Sequence, residues 1–220
     1  MVERRFVEPH NVVRFHDQGP YKYYMDDITA WQHVNDEDLW IFDKSILSRR
    51  LGYICGPTGV PVPKPNRYIV RPCINLQGMG IGAEFVDIEY DTDHLPAGHF
   101  WCEIFNGRHI SVDYKYGEPI LTVEGFRELD SPLWRFSKWQ KVNDRLLVPD
   151  QLKFLTSRYE TINIEFIDGR VIEVHLRHNP DFVHGNSIAI PVWEDQQDVV
   201  HNGLRFIEAK DYKRLGFYID

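Results

Sequence analysis

The chain has 220 residues, 43% of them hydrophobic and 14% aromatic, which is enough for one substantial core or for two small lobes that share a cleft. Its 25 basic and 33 acidic residues give a net charge of −8, which argues against nucleic acid as a partner. No apolar run approaches the roughly 20 residues of a membrane span, and the first residues lack the apolar segment of a signal peptide.

The cysteines indicate the redox environment of the protein. Cys55, Cys73 and Cys102 are widely spaced, odd in number and form no CxxC pair. Neither a structural zinc site nor a disulfide framework is therefore expected. The sequence predicts a cytoplasmic protein with reduced thiols.

The N-terminal part is predicted to be an arm followed by one helix. Residues 1 to about 25 alternate between polar and aromatic residues and contain several helix breakers. We therefore expect an arm that lies over the body of the protein. The range 35–50 begins with Asn35, a good N-cap residue, continues with acidic residues and ends with Arg49 and Arg50. These charges match the helix dipole and predict a single helix over the whole range.

A glycine-rich run lies between two predicted strands, at residues 68–73 and 84–90. Gly78, Gly80 and Gly82 fall within five residues. A loop of this kind can bring consecutive backbone N–H groups close to an anion such as phosphate. Taken alone, such a run is more often a flexible turn, and it continues neither as a Rossmann fingerprint nor as a P-loop.

The rest of the chain is predicted to consist mainly of antiparallel strands. The Asn-Gly pair at 106–107 is a strong hairpin signal, and it predicts that residues 99–105 pair with residues 108–114. The range 131–142 contains Trp134, Phe136 and Trp139 and is expected to form a packed aromatic patch. A helix is predicted at 149–159. Further strands are predicted at residues 118–123, 187–193, 204–209 and 215–219.

The segment 161–180 carries the clearest chemistry. Apolar and polar residues alternate on both sides of Asp168-Gly169, so each strand of a hairpin here would have one aliphatic and one polar face. The aliphatic face is predicted to contain Ile162, Ile164, Phe166, Ile172, Val174 and Leu176. The polar face is predicted to contain Asn163, Glu165, Glu173, His175 and Arg177.

A three-residue loop at 167–169 is the connection predicted for this hairpin, because a two-residue turn would put Glu165 and Glu173 on different faces. In the predicted register Asn163 faces Glu173, and Glu165 lies one diagonal away. Two carboxylates at such a short distance repel each other unless a cation lies between them. A hard divalent ion such as magnesium could occupy this position. From the hairpin alone, a solvated outer face with mixed charges is an open alternative.

Several segments, taken in chain order, resemble motifs of the ATP-grasp superfamily, and the resemblance covers about residues 42–179. Asp43-Lys44, with L-G-Y and a proline-rich connection after it, is similar to the family's opening motif, in which a lysine contacts ATP phosphates. Ile69-Val-Arg-Pro72 and the glycine run resemble the strand "VxKP" and the loop that covers the phosphates. Residues 101–109, W-C-E-I-F-N-G-R-H, are similar to the hinge that holds adenine and ribose.

Residues 163–177 resemble the family's metal pair, an acidic residue on one strand and "E-x-N-x-R" on the next. The resemblance implies that Glu165, Glu173 and His175 hold magnesium, with manganese as the alternative ion, and that Arg177 and Arg71 are catalytic. It also implies an ATP site made of Lys44, Arg71, Gly78, Met79, Gly80, Gly82, Cys102, Glu103, Phe105 and His109.

The fold implied by the resemblance is α+β and ATP-grasp-like. It has two small α+β lobes with largely antiparallel sheets and a nucleotide cleft between them. Residues 1–40 would be an N-terminal arm, and residues 41–220 a single domain. The nucleotide-covering lobe is expected at about 60–117 and the metal-bearing lobe at 118–220.

The activity implied by the resemblance is that of an ATP-dependent ligase, which joins a carboxylate to an amine through an acyl phosphate and releases ADP and phosphate. Arg177 would stabilise the acyl phosphate or the tetrahedral intermediate. The expected partners are ATP, a small carboxylate and an amine of unspecified size, and an oligomer or a protein partner is compatible with this activity. Small free-standing proteins of this kind resemble those of phage genomes, which would place the chain in a host cytoplasm.

Three positions depart from the family pattern. Arg71 stands where lysine is usual, His175 where an asparagine ligand is usual, and His109 where an acidic ribose contact is common. An imidazole suits manganese or zinc better than magnesium. These departures leave a second interpretation open, a non-catalytic ATP-binding or protein-interaction protein with a degenerate ATP-grasp fold. The 42 residues before Asp43 are too few for a separate substrate domain, so the arm, the C-terminal strands or another protein would hold the acid or the acceptor.

Overall fold

The computed structural model describes residues 23–74, 76, 80–196 and 199–220. Two short α-helices lie near its start, α1 (Asp27–His33) and α2 (Lys44–Arg50). The 3₁₀ helices are Asp36–Phe42, Asp150–Ser157, Pro180–Phe182 and Glu194–Gln196. The strands are β1 (Cys55–Pro57), β2 (Asn66–Pro72), β3 (Glu84–Ile88), β4 (His99–Cys102), β5 (His109–Lys115), β6 (Glu118–Phe126), β7 (Lys138–Lys141), β8 (Thr161–Ile167), β9 (Arg170–His175), β10 (Ile188–Trp193), β11 (Arg205–Asp211) and β12 (Arg214–Ile219). Among the described helices, none is both long enough and apolar enough to cross a membrane.

The strands form two sheets. The small sheet has the order β1-β4-β2-β3, and the large sheet has the order β11-β12-β10-β7-β6-β5-β8-β9. The neighbouring strands pair antiparallel in both sheets. The expected α+β architecture with largely antiparallel sheets is therefore confirmed. Residues 103–108 connect the two sheets, and position 117, where we expected a lobe boundary, lies at the turn between β5 and β6.

The prediction of one helix over residues 35–50 is wrong, because the helix is interrupted at Asp43. A 3₁₀ helix ends at Phe42, and α2 begins at Lys44. The Asp43 side chain accepts hydrogen bonds from the backbone N–H groups of Ser45 and Ile46, at 2.9 and 3.1 Å. An aspartate that caps a helix in this way adopts an extended backbone, and it ends the preceding helical segment.

The predicted hairpin across residues 106–107 is also wrong. β4 pairs with β1 and β2 in the small sheet, whereas β5 pairs with β6 and β8 in the large sheet. Gly107 has a φ of +146°, and a Cβ there would lie 2.7 Å from the Cβ of Asp168. The glycine therefore allows the connection between the sheets to approach the β8–β9 turn closely, and it does not form a hairpin turn.

The β8–β9 hairpin forms, but its connection and register differ from the prediction. Asp168 and Gly169 have φ values of 50° and 74° and form a two-residue turn, which pairs Ile167 with Arg170. A β-bulge then follows, since Phe166 faces Val171 while the next pair is Glu165 with Glu173. The extra residue, Ile172, returns the two glutamates to the same face. They lie directly opposite each other, and Asn163 faces His175 instead of Glu173.

The bulge changes which side chains enter the core. Val171 is 3% exposed and packs in the main core, whereas Ile172, which we predicted on the aliphatic face, lines the cleft between the sheets. The other predicted members of the aliphatic face are buried in this core: Ile162, Ile164, Phe166, Val174 and Leu176. The core also includes residues of α1, α2 and the adjoining 3₁₀ helices, which leaves the polar face of the hairpin turned to the cleft.

The bulged register of the β8–β9 hairpin leads to a prediction about stability. Val171→Ala is expected to lower the free energy of unfolding by about 2 kcal/mol, because it removes two buried methyl groups. Ile172→Ala is expected to cost about 1 kcal/mol or less, because that side chain lies on the cleft wall. Denaturant unfolding of the two variants measures the difference. In a hairpin without the bulge, Ile172 would lie in the core, and Ile172→Ala would cost more stability than Val171→Ala.

The three predicted C-terminal strands are confirmed as β10, β11 and β12. They extend the large sheet beyond β7, and they bury a smaller apolar cluster of their own. Within the predicted range 149–159 the structure has a 3₁₀ helix, Asp150–Ser157, in which Leu152 and Leu155 are buried. The three cysteines are free, as expected.

Candidate active site

A cleft lies between the two sheets, and both sheets line it. Arg71 on β2 and Cys102 on β4 face it from the small sheet. His109 on β5 and Glu165 on β8 face it from the large sheet. The antiparallel register explains this arrangement on the large sheet, because polar residues at alternate positions of β5, β8 and β9 point to one side. The hairpin face that could have been a solvated outer surface is thus the wall of a cleft.

Lys44 forms a buried ion pair in this cleft. It is the first residue of α2, and its backbone N–H donates to the carbonyl oxygen of Cys73 at 2.8 Å, which ties α2 to the end of β2. Its side chain is 6% exposed, and its Nζ lies 2.9 Å from Oε1 of Glu173. The lysine predicted to bind phosphates therefore neutralises a carboxylate of the predicted metal pair in this structure.

Glu165 and Glu173 are direct cross-strand neighbours and project from the same face of the large sheet. Nε2 of His109 lies 2.9 Å from Oε2 of Glu165. Nε2 of His175 lies 3.6 Å from Oε1 of Glu173 and 3.9 Å from Oε1 of Glu165. The two carboxylates would repel each other in isolation, and Lys44 and the imidazoles offset that repulsion.

Asp27 on α1 belongs to the same cluster, and our reading of the sequence missed it. The residue is 5% exposed. Its Oδ2 lies 3.0 Å from Nδ1 of His175 and accepts from Nε of Arg177 at 3.0 Å. An ionised carboxylate only accepts hydrogen bonds, so His175 carries a proton on Nδ1 and directs Nε2 toward the two glutamates.

Burial and charge together determine how these groups ionise. Burial alone would raise the pKa of Asp27, but the charges of His175 and Arg177 outweigh it and hold that pKa well below its usual range. Burial likewise opposes the charged form of His175, yet Asp27 raises the pKa of that imidazole above its ordinary value. For Glu165, burial is outweighed by the hydrogen bond and charge of His109, which lower its pKa. Asp27 and Glu165 are therefore held in their charged forms.

Arg71 faces the carboxylate pair from the small sheet. Burial lowers the pKa of this guanidinium, and the charge of Glu173 partly opposes the effect. Its Nε is buried and has no hydrogen-bond partner in the described part of the chain. A buried donor without a partner is costly, so Arg71 is a group that an anionic ligand in the cleft would stabilise.

The segment predicted to hold adenine connects the two sheets beside the cleft. The backbone N–H of Glu103 donates to Ile54, and the N–H of Ile54 donates to Oε1 of Glu103, both at 2.9 Å. The ring of Phe105 lies edge-on to Tyr53, with ring centres 4.7 Å apart. Cys102 is buried at the end of β4. These contacts fix the connection against β1, while Glu103, Phe105 and Cys102 also line the cleft.

Asp113 supports the site from within the large sheet, and it is a further residue that we missed. It is 3% exposed, and its carboxylate accepts from the backbone N–H of Asn179 at 2.9 and 3.0 Å and from Nδ2 of Asn163 at 2.8 Å. Burial raises the pKa of Asp113 despite these hydrogen bonds. The contacts hold the backbone just after Arg177 against the sheet.

A divalent cation was expected at the glutamates, and the donor set has the right chemistry for one. Carboxylate oxygens are the ligands that magnesium prefers, and Glu165 and Glu173 present theirs side by side. In the described part of the chain, no three His, Cys, Asp or Glu side chains come together as a ready-made metal site. Lys44 and His109 each occupy an oxygen of this pair instead. The side chain of His175 is 5% exposed and does not line the cleft, so it lies behind the glutamates.

The structure gathers most of the predicted site residues in the one cleft. They are Lys44, Arg71, Gly80, Cys102, Glu103, Phe105, His109, Glu165, Glu173 and Arg177. Gly82 has a φ of +79°, and a Cβ there would lie 3.0 Å from the ring of Pro72, so Gly82 packs against the end of β2. Two predicted nucleotide ligands, Gly78 and Met79, lie outside the described residues.

Comparison with known proteins gives matches in structure and none in sequence. No protein-family model matches the chain, and no curated protein matches it. N5-carboxyaminoimidazole synthetase from Staphylococcus aureus matches with a TM-score of 0.53 and 12% identity, over 82% of this chain and 67% of that one. Carboxyaminoimidazole ribonucleotide synthase from Aspergillus clavatus, in complex with ATP, matches with a TM-score of 0.53 and 10% identity, over 82% of this chain and 68% of that one.

A structure from Archaeoglobus fulgidus described as an ATP-grasp superfamily protein is similar at a TM-score of 0.47 and 14% identity, over 82% of this chain and 65% of that one. The chain spans about two thirds of the length of these three structures. At such low identity the two matches with a TM-score of 0.53 show the fold alone.

Proposed function

We propose that this chain, whose fold is that of the ATP-grasp proteins, is an ATP-dependent ligase that joins a carboxylate to an amine through an acyl phosphate. One observation supports the proposal above the others. A pair of cross-strand glutamates faces Arg71 across the cleft, with Lys44 and Arg177 beside them. Three fixed cations around two carboxylates suit the transfer of a phosphoryl group, whose catalysis depends on positioning and on charge stabilisation.

The cations would bind the phosphates of ATP. Arg71 has a buried Nε without a partner in the described chain, and Lys44 can exchange the carboxylate of Glu173 for a phosphate oxygen. Adenine would lie beside the connection between the sheets, against Phe105 and the backbone of Cys102 and Glu103. His109 would lie close to the ribose. The glycine run, with Gly80 on the cleft wall, would cover the phosphates.

Glu165 and Glu173 would hold a divalent ion once Lys44 has turned toward the phosphates, with magnesium as the first choice and manganese as the alternative. When bound, such an ion neutralises the phosphate charge during transfer. His175 would support the pair from behind or enter the coordination sphere through Nε2. Asp27 fixes the imidazole in the orientation that either role needs.

Arg177 would act on the activated acid. The γ-phosphoryl group passes to a carboxylate oxygen and ADP is released. The amine nitrogen then attacks the acyl carbon, the new C–N bond forms, and the C–O bond to phosphate breaks. Negative charge develops on the acyl oxygen in this step, and a guanidinium held in place stabilises it. Arg177 is held by Asp27 and is 15% exposed, so it is ordered yet reachable from the cleft.

Hydroxylamine makes the proposal testable before the natural amine is known, because it captures an acyl phosphate as a hydroxamate. We expect the protein, ATP, magnesium and a pool of carboxylic acids to give ADP, phosphate and a hydroxamate. AMP with pyrophosphate would exclude the acyl phosphate route. ATP that raises the melting temperature with no turnover in any pool would favour the non-catalytic ATP-binding alternative instead.

A further inference from the structure

The cleft continues past the glutamates to an aromatic pocket, which we define as Trp134, Phe136, Trp139 and Trp193. His109 links the two parts. Its ring centre is 5.1 Å from that of Phe136 and 5.4 Å from that of Trp139, while its Nε2 lies 2.9 Å from Glu165. The aromatic pocket therefore begins one side chain away from the carboxylate pair.

The rings of the aromatic pocket are held in place by the strands below them. A Cβ at Gly125 would lie 2.7 Å from Phe136 and 2.8 Å from Trp139, so both rings rest directly on the β6 backbone. The indole Nε1 of Trp193 donates to the carbonyl oxygen of Phe136 at 3.1 Å. Trp134 lies edge-on to Trp193, with ring centres 5.1 Å apart. Rings fixed in this way offer apolar area with little further loss of conformational entropy.

The far end of the pocket is formed by charged side chains of the C-terminal strands. Arg214 on β12 pairs with Asp181, its side chain is 10% exposed, and its buried Nε has no partner in the described chain. Arg177 pairs with Asp27. Asp211 faces Arg214 across the β11–β12 pair and also lines the cleft.

Asp211 is the carboxylate that lacks a partner at this end. Within the described residues its side chain has no hydrogen bond and no ion pair, whereas Asp181 and Asp27 are both paired with arginines. The side chain is half-buried, and burial raises its pKa although the charges of Arg214 and Arg177 act in the opposite direction. A half-buried carboxylate without a donor is costly, so a cationic ligand group would stabilise it.

We propose that the aromatic pocket and Asp211 bind the amine substrate, a primary amine with an aromatic or similarly flat apolar body. Asp211 receives the ammonium group, and the body packs among the four rings. The role of this amine as the acceptor rests on the proposed function, while its binding does not. An amine without a body leaves the rings empty.

Four small probes separate the contributions of charge and body. We expect 2-phenylethylamine to bind to the full chain more tightly than ethylamine, 2-phenylethanol or 3-phenylpropionate, by about tenfold or more in Kd. Ligand-observed NMR or quenching of tryptophan fluorescence measures each Kd without ATP. Equal affinities for 2-phenylethylamine and 2-phenylethanol would overturn the role of Asp211. Equal affinities for 2-phenylethylamine and ethylamine would overturn the role of the rings.

Two variants locate the site. Asp211→Asn should weaken 2-phenylethylamine about tenfold and leave 2-phenylethanol unchanged, because only the charge is removed. Asp195→Asn is the matched control, since Asp195 is 63% exposed, pairs with Arg135 and does not line the cleft. A loss in the control equal to that in Asp211→Asn would contradict the proposal. Trp134→Leu should weaken 2-phenylethylamine and 2-phenylethanol alike.

ATP binding, measured by calorimetry on the same variants, keeps the two proposals distinct. Asp211→Asn is expected to bind ATP like the unmodified chain, because Asp211 lies beyond the phosphate-binding cations. Suppose that neither the unmodified protein nor any variant binds ATP, but 2-phenylethylamine still binds through Asp211. The ligase proposal then fails, and the amine site stands. If ATP binds and the amine does not, the amine site fails alone.

Discussion

Glu173→Gln is expected to lower the rate of ADP formation by at least about a hundredfold, the scale on which loss of one charge-stabilising group acts in enzymes. The substitution keeps the shape of the side chain and removes its charge. Glu173 is the cross-strand partner of Glu165 and the ion-pair partner of Lys44, so its charge acts on two other residues of the site. ADP release with the best acid from the hydroxylamine screen measures the effect.

Glu160→Gln is the matched control for this prediction. Glu160 also pairs with a lysine, Lys115, at 3.1 Å, but that pair is on the surface, with side chains 26% and 48% exposed. Exposed pairs contribute little, so the control should keep its rate and its melting temperature. A Glu173→Gln rate within threefold of the unmodified rate would exclude Glu173 from the reaction.

Unfolding could imitate a catalytic loss here, because Glu173→Gln leaves the buried charge of Lys44 without a counter-ion. The double variant Lys44→Gln with Glu173→Gln removes both charges and should regain stability. If the double variant is as stable as the unmodified chain and still inactive, the loss comes from the chemistry that Lys44 and Glu173 provide together and not from unfolding. Recovery of activity in the double variant would mean that Glu173 serves the fold only.

Local pattern predicted the strands well, because a period of two in hydrophobicity reports directly which face is buried. The aliphatic face of β8 and the three C-terminal strands follow from it. The same pattern failed at Ile172, because a bulge adds one residue and shifts the period by one position. Both glutamates would share a face with either a three-residue loop or a two-residue turn plus a bulge, so their shared face was predicted correctly from the wrong connection.

Turn residues predicted strand pairing less reliably. A turn residue indicates the backbone conformation at its own position, but it does not determine which strands pair with each other. The Asn-Gly pair at 106–107 is a good hairpin signal, yet tertiary structure sends β4 and β5 into different sheets. The order of motifs along the chain predicted that connection better than the local signal, since it placed a hinge at the same residues. Asp43 shows the same limit, because a capping aspartate within an apparent helix can equally end one helix and begin another.

Contacts that are distant in sequence could not be predicted at all. Asp26 and Asp27 mark a helix start, and Asp26 does cap α1, with Oδ1 accepting from the N–H of Thr29 at 2.7 Å. The neighbouring Asp27 turns inward to His175, 148 positions away in sequence. Nothing in the local sequence distinguishes the two aspartates, and only the packing of α1 on the large sheet does.

The second prediction with a large expected effect concerns this pair of aspartates. Asp27→Asn is expected to destabilise the protein by about 3 kcal/mol or more, because it leaves Arg177 and His175 without their buried counter-charge. For a chain of this length that corresponds to a fall in melting temperature of roughly 6 °C or more. Asp26→Asn is the control one residue away, and since asparagine is an equally good N-cap, it should change the stability by less than about 0.5 kcal/mol.

The effect of Asp27→Asn should also depend on pH in a defined direction. The pKa of Asp27 is lower in the folded chain than in the unfolded one, so between the two values the unfolded chain binds more protons. Its stabilising contribution is complete above the ordinary aspartate range and is lost as the pH falls through the folded pKa. The stability difference between the unmodified chain and Asp27→Asn should therefore be full at pH 6 and smaller at pH 3, by chemical denaturation at each pH. A difference that stays constant over that range would show that Asp27 acts through shape and not through its charge.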